Sequence, residues 1–489
     1  MGFFAGFLKL YGEPRGRRSN PTGSVFCVQI MKIHIIEPKS PNTGGGAQYF
    51  NGLIGPILAA WSVRQGWEAR VSFPRPHRVN YYDECDVVAI RLYTHLAREG
   101  YEIAERFRAM GKIVIIGGPH TKGCTDEILK HADLVFQHCD EEAFSGTLRA
   151  IETGEIRPGP TPGRVIPSAQ LKEIPPYEEI KPFCGHPVIP MLLSSLGCPH
   201  DCDFCADWDH DYFKRNVDDV IRDIKALKRN FFFFADANFG ANRRFTNELL
   251  KKMIPLKKRY LLQTSMAWLK DEQYLELLRE SGCIGIGIGL ESLSTVYKKN
   301  GVKEADAIME ETIAQIHKIK KYIPGVQVNI VLGLDDDTKE TFDMVADLYR
   351  RANIDILAPF ITTPFPGTPF FEKIKSKGRL FEKNWRHFNT GDITYDLKNF
   401  DLHEFLVLIK ELHKKTHSPA MILKKTLSQY KQNKNCKNAL LLFIALSSRL
   451  FNLYAYTFGD YRRSKIRIRA REKSLLNSKS EEEEALRRR

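Results

Sequence analysis

Apolar runs of strand length alternate with amphipathic, helix-like stretches over the first third of the chain. Strands are predicted at Met31–Glu37, Glu68–Phe73, Asp86–Leu92, Lys112–Ile116 and Asp133–Gln137. Helices are predicted between them, as at Tyr49–Gln65 and Glu99–Met110. Because the strands are apolar throughout, the pattern favours a parallel sheet with helices on both faces. Ligands of such sheets bind beyond the carboxyl ends of the strands, here the loops Pro38–Gly46, Arg91–Thr94 and Gly117–His120.

The alternation resumes at Val188, after a proline- and glycine-rich connector at residues 154–187. Further strands are predicted at residues 188–196, Phe231–Asp236, Tyr260–Met266, Cys283–Leu290, Val326–Leu334 and Ile356–Thr362. The intervening helices are predicted at Val217–Lys228, Arg244–Pro255, Asp271–Ser281, Glu304–Tyr322 and Thr338–Ala352. Six strand–helix units are too few for a closed eight-stranded barrel.

The pattern changes after Lys377. Amphipathic helices are predicted at Asp401–Lys415 and Pro419–Tyr430. The apolar, aromatic stretch Ala439–Phe458 precedes a basic cluster at residues 462–469. Two interpretations stay open for residues 439–473: an interfacial helix that contacts anionic lipid, or a core helix followed by a solvated tail.

Composition describes a globular protein of two or three domains, with 489 residues, 43% hydrophobic and 27% charged. The net charge of +14 is compatible with binding to nucleic acid or to an anionic membrane surface, or it reflects only a basic proteome. Nucleic acid is disfavoured because the basic residues are not interleaved with stacking aromatics. Residues 1–30 read as a disordered, dispensable extension that makes a poor signal peptide. We therefore expect a cytoplasmic protein, with membrane association as the second interpretation.

One short loop carries three cysteines, Cys198, Cys202 and Cys205, directly after a buried strand. Three thiolates at this C-x3-C-x2-C spacing can hold three irons of a cubane cluster and leave the fourth iron open. The alternative is structural zinc, which normally takes four protein ligands. His200 could be the fourth, although its place inside the loop makes a tetrahedron awkward. The ten cysteines form no evident disulfide framework, and the cluster spacing favours a reducing compartment.

The spacing, with the aromatic Phe204 before the last cysteine, resembles the signature of radical S-adenosylmethionine (SAM) enzymes. The resemblance implies a [4Fe-4S] cluster on the three cysteines, whose open iron is chelated by SAM. Reduction by an electron donor such as flavodoxin or ferredoxin then yields a 5′-deoxyadenosyl radical. It also implies that residues 188–377 form an open, partial (β/α)6 barrel with its cofactor at the strand C-terminal ends.

The order of glycine-rich loops in the first domain resembles the cobalamin-binding domain of one large class of these enzymes. Gly117-Gly118-Pro119-His120 and Asp140-Glu141-Glu142 carry this likeness. It implies cobalamin as a cofactor, with contacts from Gly117, Gly118 and His120. The Asp-x-His-x-x-Gly motif, whose histidine is the lower cobalt ligand in other cobalamin proteins, is absent after the first strand.

The same family resemblance implies roles for residues at the ends of the barrel strands. Asp236 and Asn238 are placed near the cluster, Glu291 and Ser292 near the ribose and methionine of SAM, and Asn329 near the adenine. The turn at residues 364–369, Pro-Phe-Pro-Gly-Thr-Pro, also recurs in the cobalamin-binding class. The alternative for such strand-end residues is that they cap helices.

The predicted fold is α/β, with a Rossmann-like cobalamin-binding domain, the partial radical SAM barrel and a helical C-terminal region. The predicted boundaries are 1–30 for the extension, 31–153 for the first domain, 154–187 for the linker, 188–377 for the barrel, 378–460 for the helical region and 461–489 for the charged tail. The expected activity is methyl transfer to an unactivated carbon of a small-molecule or lipid substrate. The alternatives are a cobalamin-dependent radical cyclase or rearrangement enzyme, and a non-catalytic metal- or nucleic-acid-binding protein.

Overall fold

A computed structural model describes residues 30–39, 50–159, 163–186, 189–206 and 211–432, and the single positions 446, 450, 465, 467 and 468. For 294–305 and 428–432 only the backbone is described. Residues 1–29 of the predicted extension, residues 40–46 of the loop Pro38–Gly46 and most of the segment 439–473 lie outside the described residues.

The first sheet has six parallel strands in the order β2-β1-β3-β4-β5-β6. Its strands are β1 Lys32–Ile36, β2 Glu68–Ser72, β3 Val87–Arg91, β4 Ile113–Gly117, β5 Leu134–Phe136 and β6 Arg164–Val165. Its helices are α1 Ile54–Arg64, α2 Ala97–Ala109, α3 Thr121–Ile128 and α4 Glu141–Glu152.

Helices cover both faces of this sheet. Successive side chains of a strand point to opposite faces, so an apolar strand contributes residues to the core on each side. Val87 and Ala89 of β3 join the core that α1 and α4 cover, through Trp61 and Phe144. Val88 and Ile90 join the core on the other face, which includes residues of α2 and α3. The prediction of a parallel sheet between two helical layers is confirmed.

The connector at 154–187 is not simply extended. Its residues Arg164–Val165 form β6, which pairs with the edge of the first sheet at β5. A short helix, α5 Tyr177–Ile180, follows. Sequence patterning gave no sign of β6 because it has only two residues, both exposed.

The second sheet is also parallel, in the order β14-β13-β12-β11-β10-β7. Its strands are β7 Met191–Leu192, β10 Phe231–Phe234, β11 Arg259–Ser265, β12 Cys283–Glu291, β13 Gly325–Leu332 and β14 Ile356–Ile361, and β8 Ser195–Leu196 pairs separately with β9 Phe213–Lys214. Its helices are α6 Val217–Ala226, α7 Arg243–Met253, α8 Glu272–Glu280, α9 Leu293–Tyr322, α10 Lys339–Arg351 and α11 Pro369–Ser376. β7 and β14 are its two edges, so the sheet is open, as the six-unit pattern predicted.

Two helices follow on the outside, α12 Leu402–His417 and α13 Pro419–Gln432. α12 buries Phe405 against Phe342 of α10, with ring centroids 5.6 Å apart. Beyond them, Arg467 pairs with Asp392 at 3.1 Å, and Ile468 is buried. At least these two residues of the basic cluster therefore pack on the protein. Among the described residues, no helix has the length and apolar character needed to cross a membrane.

Candidate active site

The loop with the three cysteines follows β8 and is held at several points. Cys205 N donates to Cys202 O at 3.0 Å, and Phe370 N, from α11, donates to Asp203 O at 3.0 Å. The three thiols are partly exposed and form no disulfide. Within the described residues, no three His, Cys, Asp or Glu side chains converge as around a single metal ion. A cubane cluster instead takes one thiolate at each of several iron corners, and the donor set fits that group.

Asp236 anchors the chain where it enters this loop. Its carboxylate is fully buried and accepts hydrogen bonds from Ser194 N at 2.7 Å, Ser194 Oγ at 2.5 Å and Ser195 Oγ at 2.6 Å. Burial raises the pKa of the carboxyl, although the two serines act in the opposite direction. The predicted strand 188–196 is therefore divided, since β7 ends at Leu192 and Ser194–Ser195 turn toward Asp236.

Asn238 faces a cysteine directly. Its Oδ1 accepts from Ser265 N at 3.0 Å, which orients the amide. Its Nδ2 then donates to Cys198 Sγ at 3.7 Å. Of the two residues predicted to lie near the cluster, Asn238 touches a cysteine, whereas Asp236 acts behind the loop.

Glu291 ends β12 in a conformation that is unusual for a residue other than glycine. Its φ is +61°, and the register with β13 shifts between Gly289 and Glu291. The carboxylate folds back over Gly289, where a Cβ would overlap it. Burial raises the pKa of Glu291. Burial also raises the pKa of Cys202, and the charge of Glu291 adds to that shift.

Ser292 is buried in the position immediately before α9. Asn329 of β13 lies beside Gly289 in the register and accepts from Gln327 Nε2 at 2.8 Å. Ser265, Gly289 and Asn329 occupy adjacent register positions, near the carboxyl ends of β11 and β12 and midway along β13. Phe204 is partly buried and packs on the main hydrophobic core.

A cavity of about 320 Å³ lies between the two sheets. From the first sheet it is lined by strand ends and the following loops, including Gly117 and Gly118. From the barrel it is lined by Leu193 and Ala235, and by Gly197, which directly precedes Cys198. Its walls are mainly apolar, and they reach the cysteine loop.

Gly118 is required by its backbone. Its φ is +111°, and a Cβ there would lie 2.8 Å from Leu92 O and 2.9 Å from Leu92 N. Gly117 has room for a Cβ, whose nearest neighbour would be Phe136 O at 3.6 Å. Both glycines line the cavity, as the loop position predicted.

His120 does not line this cavity. Its ring is fully buried, with Nε2 3.0 Å from Tyr101 Oη and Nδ1 3.3 Å from Thr94 Oγ1. Burial lowers its pKa to about 4, so the ring is neutral. With both nitrogens engaged inside the domain, His120 is placed to support the loop instead of contacting a cofactor.

Sequence analysis missed Lys122, which lines the cavity from α3. Its Nζ donates to Ala206 O at 2.8 Å, one residue beyond Cys205. Nothing in the sequence distinguishes Lys122 from other lysines on helices. Arg91, in a loop that was predicted to bind ligands, also lines the cavity and lies 3.3 Å from Glu37.

Comparison with known proteins identifies the second sheet. Residues 192–349 match the model of the radical SAM superfamily. Bacteriochlorophyllide d C-12(1)-methyltransferase of Chlorobaculum tepidum is 28% identical over 355 residues, which cover 67% of this chain and 75% of the relative. An anaerobic magnesium-protoporphyrin IX monomethyl ester cyclase of Cereibacter sphaeroides is 27% identical over 208 residues, covering 40% of this chain and 33% of the cyclase.

The fold has a solved counterpart in OxsB, a cobalamin-dependent SAM radical enzyme whose structure contains aqua-cobalamin and SAM. The TM-score is 0.56 at 13% identity, and the match covers 93% of this chain and 76% of OxsB. Residues 192–349 are therefore a radical SAM domain, and the fold of the chain is similar to that of a cobalamin-dependent member of that superfamily, as the cysteine spacing and the order of the glycine-rich loops predicted.

Proposed function

We propose that this chain is a cobalamin-dependent radical SAM methyltransferase, which transfers a methyl group to an unactivated carbon of a small molecule. The observation that carries the proposal is the apolar cavity between the sheets, which extends from Gly118 to Gly197 beside the cysteine loop. The residues that line this cavity would hold the corrin, and the neighbouring cysteine loop would hold the cluster to which SAM binds. The methyltransferase of Chlorobaculum tepidum, matched over most of both chains, supports methyl transfer over the other activities.

The protein's own groups would bind, orient and shield the cofactors. Cys198, Cys202 and Cys205 would hold the cluster, with Asn238 donating to the first of them. Glu291, Ser292 and Asn329 would bind the polar parts of SAM. The cluster with SAM supplies a radical, and cobalamin supplies a transferable methyl group. The apolar cavity wall would exclude water from the cobalt, and no side chain has to act as an acid or base.

The test uses the full chain reconstituted anaerobically with iron, sulfide and cobalamin, reduced by titanium(III) citrate. SAM carries a deuterated methyl group, and bacteriochlorophyllide d is the first test substrate because the Chlorobaculum tepidum relative is named for it. Without substrate we expect about one S-adenosylhomocysteine per bound cobalamin. With a substrate, each turnover should give S-adenosylhomocysteine, 5′-deoxyadenosine and labelled product in equal amounts.

A radical cyclase is the second candidate, because the chain is also similar to the cyclase of Cereibacter sphaeroides over part of its length. A cyclase would give 5′-deoxyadenosine without matching S-adenosylhomocysteine, and its product would be unlabelled. That outcome would replace the methyltransferase proposal. Failure to bind cobalamin would refute both.

The cluster also requires an electron donor. We expect an acidic protein such as flavodoxin or ferredoxin, because the chain carries a net charge of +14. Reduced flavodoxin should replace titanium(III) citrate in the assay, and its rate should fall as salt rises. A rate that is independent of salt would contradict an electrostatic encounter.

A peripheral membrane contact through residues 439–473 is a further proposal, based on the apolar stretch and the basic cluster. The ion pair of Arg467 with Asp392 removes one cation from the lipid-facing set. Flotation with liposomes rich in anionic lipid should require this segment and weaken with salt. Equal flotation after its deletion would exclude the contact.

A further inference from the structure

Helix α3 of the first domain touches two separate parts of the barrel through neighbouring residues. Lys122 Nζ donates to Ala206 O at 2.8 Å, at the end of the cysteine loop. Gly123 meets the turn at residues 364–369: a Cβ on Gly123 would lie 2.6 Å from Pro366 Cβ and would overlap the backbone of Gly367. The backbones of α3 and the turn are therefore in direct contact, with no room for a side chain between them.

The turn is equally constrained from its own side. Gly367 has a φ of +82°, and a Cβ there would lie 2.9 Å from Lys122 C and 3.0 Å from Gly123 N. Thr368 closes the turn, since its Oγ1 donates to Phe365 O at 2.7 Å and accepts from Phe371 N at 3.1 Å. The turn cannot move away from α3 without also disturbing the start of α11.

The same elements reach both candidate cofactor sites. Gly117 and Gly118, which line the cavity, lead through His120 directly into α3. Phe370, in the first turn of α11, donates from its backbone to Asp203 in the cysteine loop at 3.0 Å. The cavity loop, the cysteine loop and the turn thus meet at Lys122, Gly123, Ala206 and Gly367, which we call the glycine junction.

We infer that the glycine junction sets the separation between the cavity and the cysteine loop, and that Gly123 and Gly367 are positioning residues for methyl transfer between them. The inference rests on the proposed function. A methyl group inserted between two touching backbones must push α3 from the turn by roughly 1 Å, and a displacement of that size can cost about 100-fold in a rate that depends on orientation. Formation of the 5′-deoxyadenosyl radical needs the cluster and SAM but not the separation between the cavity and the cysteine loop, so it should fall much less than methyl transfer.

Both reactions can be measured without a substrate. In the first, the methyl group leaves the sulfonium of SAM, which becomes S-adenosylhomocysteine, and bonds to cob(I)alamin through the electron pair of the cobalt. Titanium(III) citrate supplies the electrons that produce cob(I)alamin. In the second, one electron from the cluster, reduced by titanium(III) citrate, cleaves SAM to methionine and the 5′-deoxyadenosyl radical, which takes a hydrogen atom from a C–H bond of citrate or another buffer component to become 5′-deoxyadenosine. The first reaction spans the glycine junction, whereas the second does not.

Gly123→Ala should lower the rate of S-adenosylhomocysteine formation by about 10- to 100-fold. The rate of 5′-deoxyadenosine formation, the iron content and the amount of bound cobalamin should stay within about twofold of the wild type. The matched control is Gly146→Ala in α4, where the nearest atom to a new Cβ would be Arg149 Nη2 at 3.8 Å. The control should leave both rates unchanged.

Two further variants test the junction from other sides. Gly367→Ala also strains the turn, because the φ of Gly367 is +82°, and it should lower S-adenosylhomocysteine formation more than 5′-deoxyadenosine formation. Lys122→Met, which removes the bond to Ala206 without adding bulk, should cause a smaller loss of S-adenosylhomocysteine formation. If all three variants lower both rates together, or neither rate, the glycine junction has no positioning role and the inference is overturned. If the wild type forms no S-adenosylhomocysteine with cobalamin bound, the proposed function itself fails.

Discussion

Asp236 provides the sharpest test of how the cysteine loop is held. Its carboxylate accepts from Ser194 N at 2.7 Å and from the hydroxyls of Ser194 and Ser195 at 2.5 and 2.6 Å, with no exposed surface. Asp236→Ala removes all three acceptor contacts and leaves a cavity. Asp236→Asn keeps the shape: its Oδ1 can accept from Ser194 N, and both hydroxyls can rotate to accept from its Nδ2.

The two substitutions should therefore differ greatly. An orphaned buried N–H costs about 1–3 kcal/mol, and the lost hydroxyl contacts and the cavity bring Asp236→Ala to roughly 2–4 kcal/mol. For a unit of this size each kcal/mol shifts the Tm by about 2–4 °C, so the Tm should fall by roughly 5–15 °C. Asp236→Asn should stay within about 3 °C of the wild type.

The pH dependence has a defined sign. Burial raises the pKa of Asp236 in the folded state. The contribution of this group to stability is therefore complete below its unfolded pKa of about 3.9 and is lost as the pH rises through the raised folded value. Asparagine does not ionise, so the stability of the Asp236→Asn variant does not fall in this way as the pH rises. The Tm of Asp236→Asn minus that of the wild type should thus increase as the pH rises above the unfolded pKa of about 3.9.

Thermal unfolding of the reconstituted protein, followed by tryptophan fluorescence, measures both effects, and iron content reports on the loop. We expect Asp236→Ala to lose iron and Asp236→Asn to retain it. An alanine variant within about 2 °C of the wild type, with full iron, would show that the carboxylate does not anchor the loop. A difference between the asparagine variant and the wild type that decreases with rising pH would contradict the raised pKa.

Three further predictions concern the cofactor contacts. Replacing the three loop cysteines together with alanine should abolish the brown absorbance and 5′-deoxyadenosine formation, and iron retained by that variant would refute the cluster assignment. Asn238→Ala should retain the cluster but make its midpoint potential more negative in a redox titration followed by electron paramagnetic resonance, because a hydrogen bond to a ligand sulfur stabilises the reduced state; an unchanged potential would show that the bond is not made. Gly118→Ala should weaken cobalamin binding at least about tenfold in a spectroscopic titration, since its Cβ would strike Leu92, whereas His120→Gln should bind normally because His120 lies outside the cavity.

The long elements were predictable because their local pattern agrees with their burial. The first four residues of the strands Val87–Arg91 and Ile113–Gly117 are apolar and buried, and both strands lie within about a residue of their predicted limits. β6 and β7, each two residues long, are too short to show a period. α9 begins at Leu293, well before the predicted Glu304. The prediction missed the first turns of this helix because the sequence there is mostly polar.

The candidate site also contains some residues that the sequence identifies and others whose orientation it does not determine. The cysteines could be identified because spacing on one loop is itself the signal. The sequence places Asp236, Glu291 and Ser292 at or just after the ends of their strands, but it does not say which way each side chain points. Asn238 faces Cys198, whereas Asp236, two positions earlier, is buried behind the loop. His120 follows a glycine pair that lines the cavity, yet its own ring is directed into the domain.

Contacts between distant glycines lie beyond any local signal. Gly123 and Gly146 both occupy helices, where glycine is about 1 kcal/mol less favourable than alanine. The sequence alone therefore gives no reason to distinguish these two glycines. In the fold, Gly123 lies so close to the turn at Pro366 and Gly367 that a Cβ has no room there, whereas Gly146 has room for one. A helical glycine therefore indicates a close backbone approach only when the partner surface is known, and for Gly123 that partner connects the cavity to the cysteine loop.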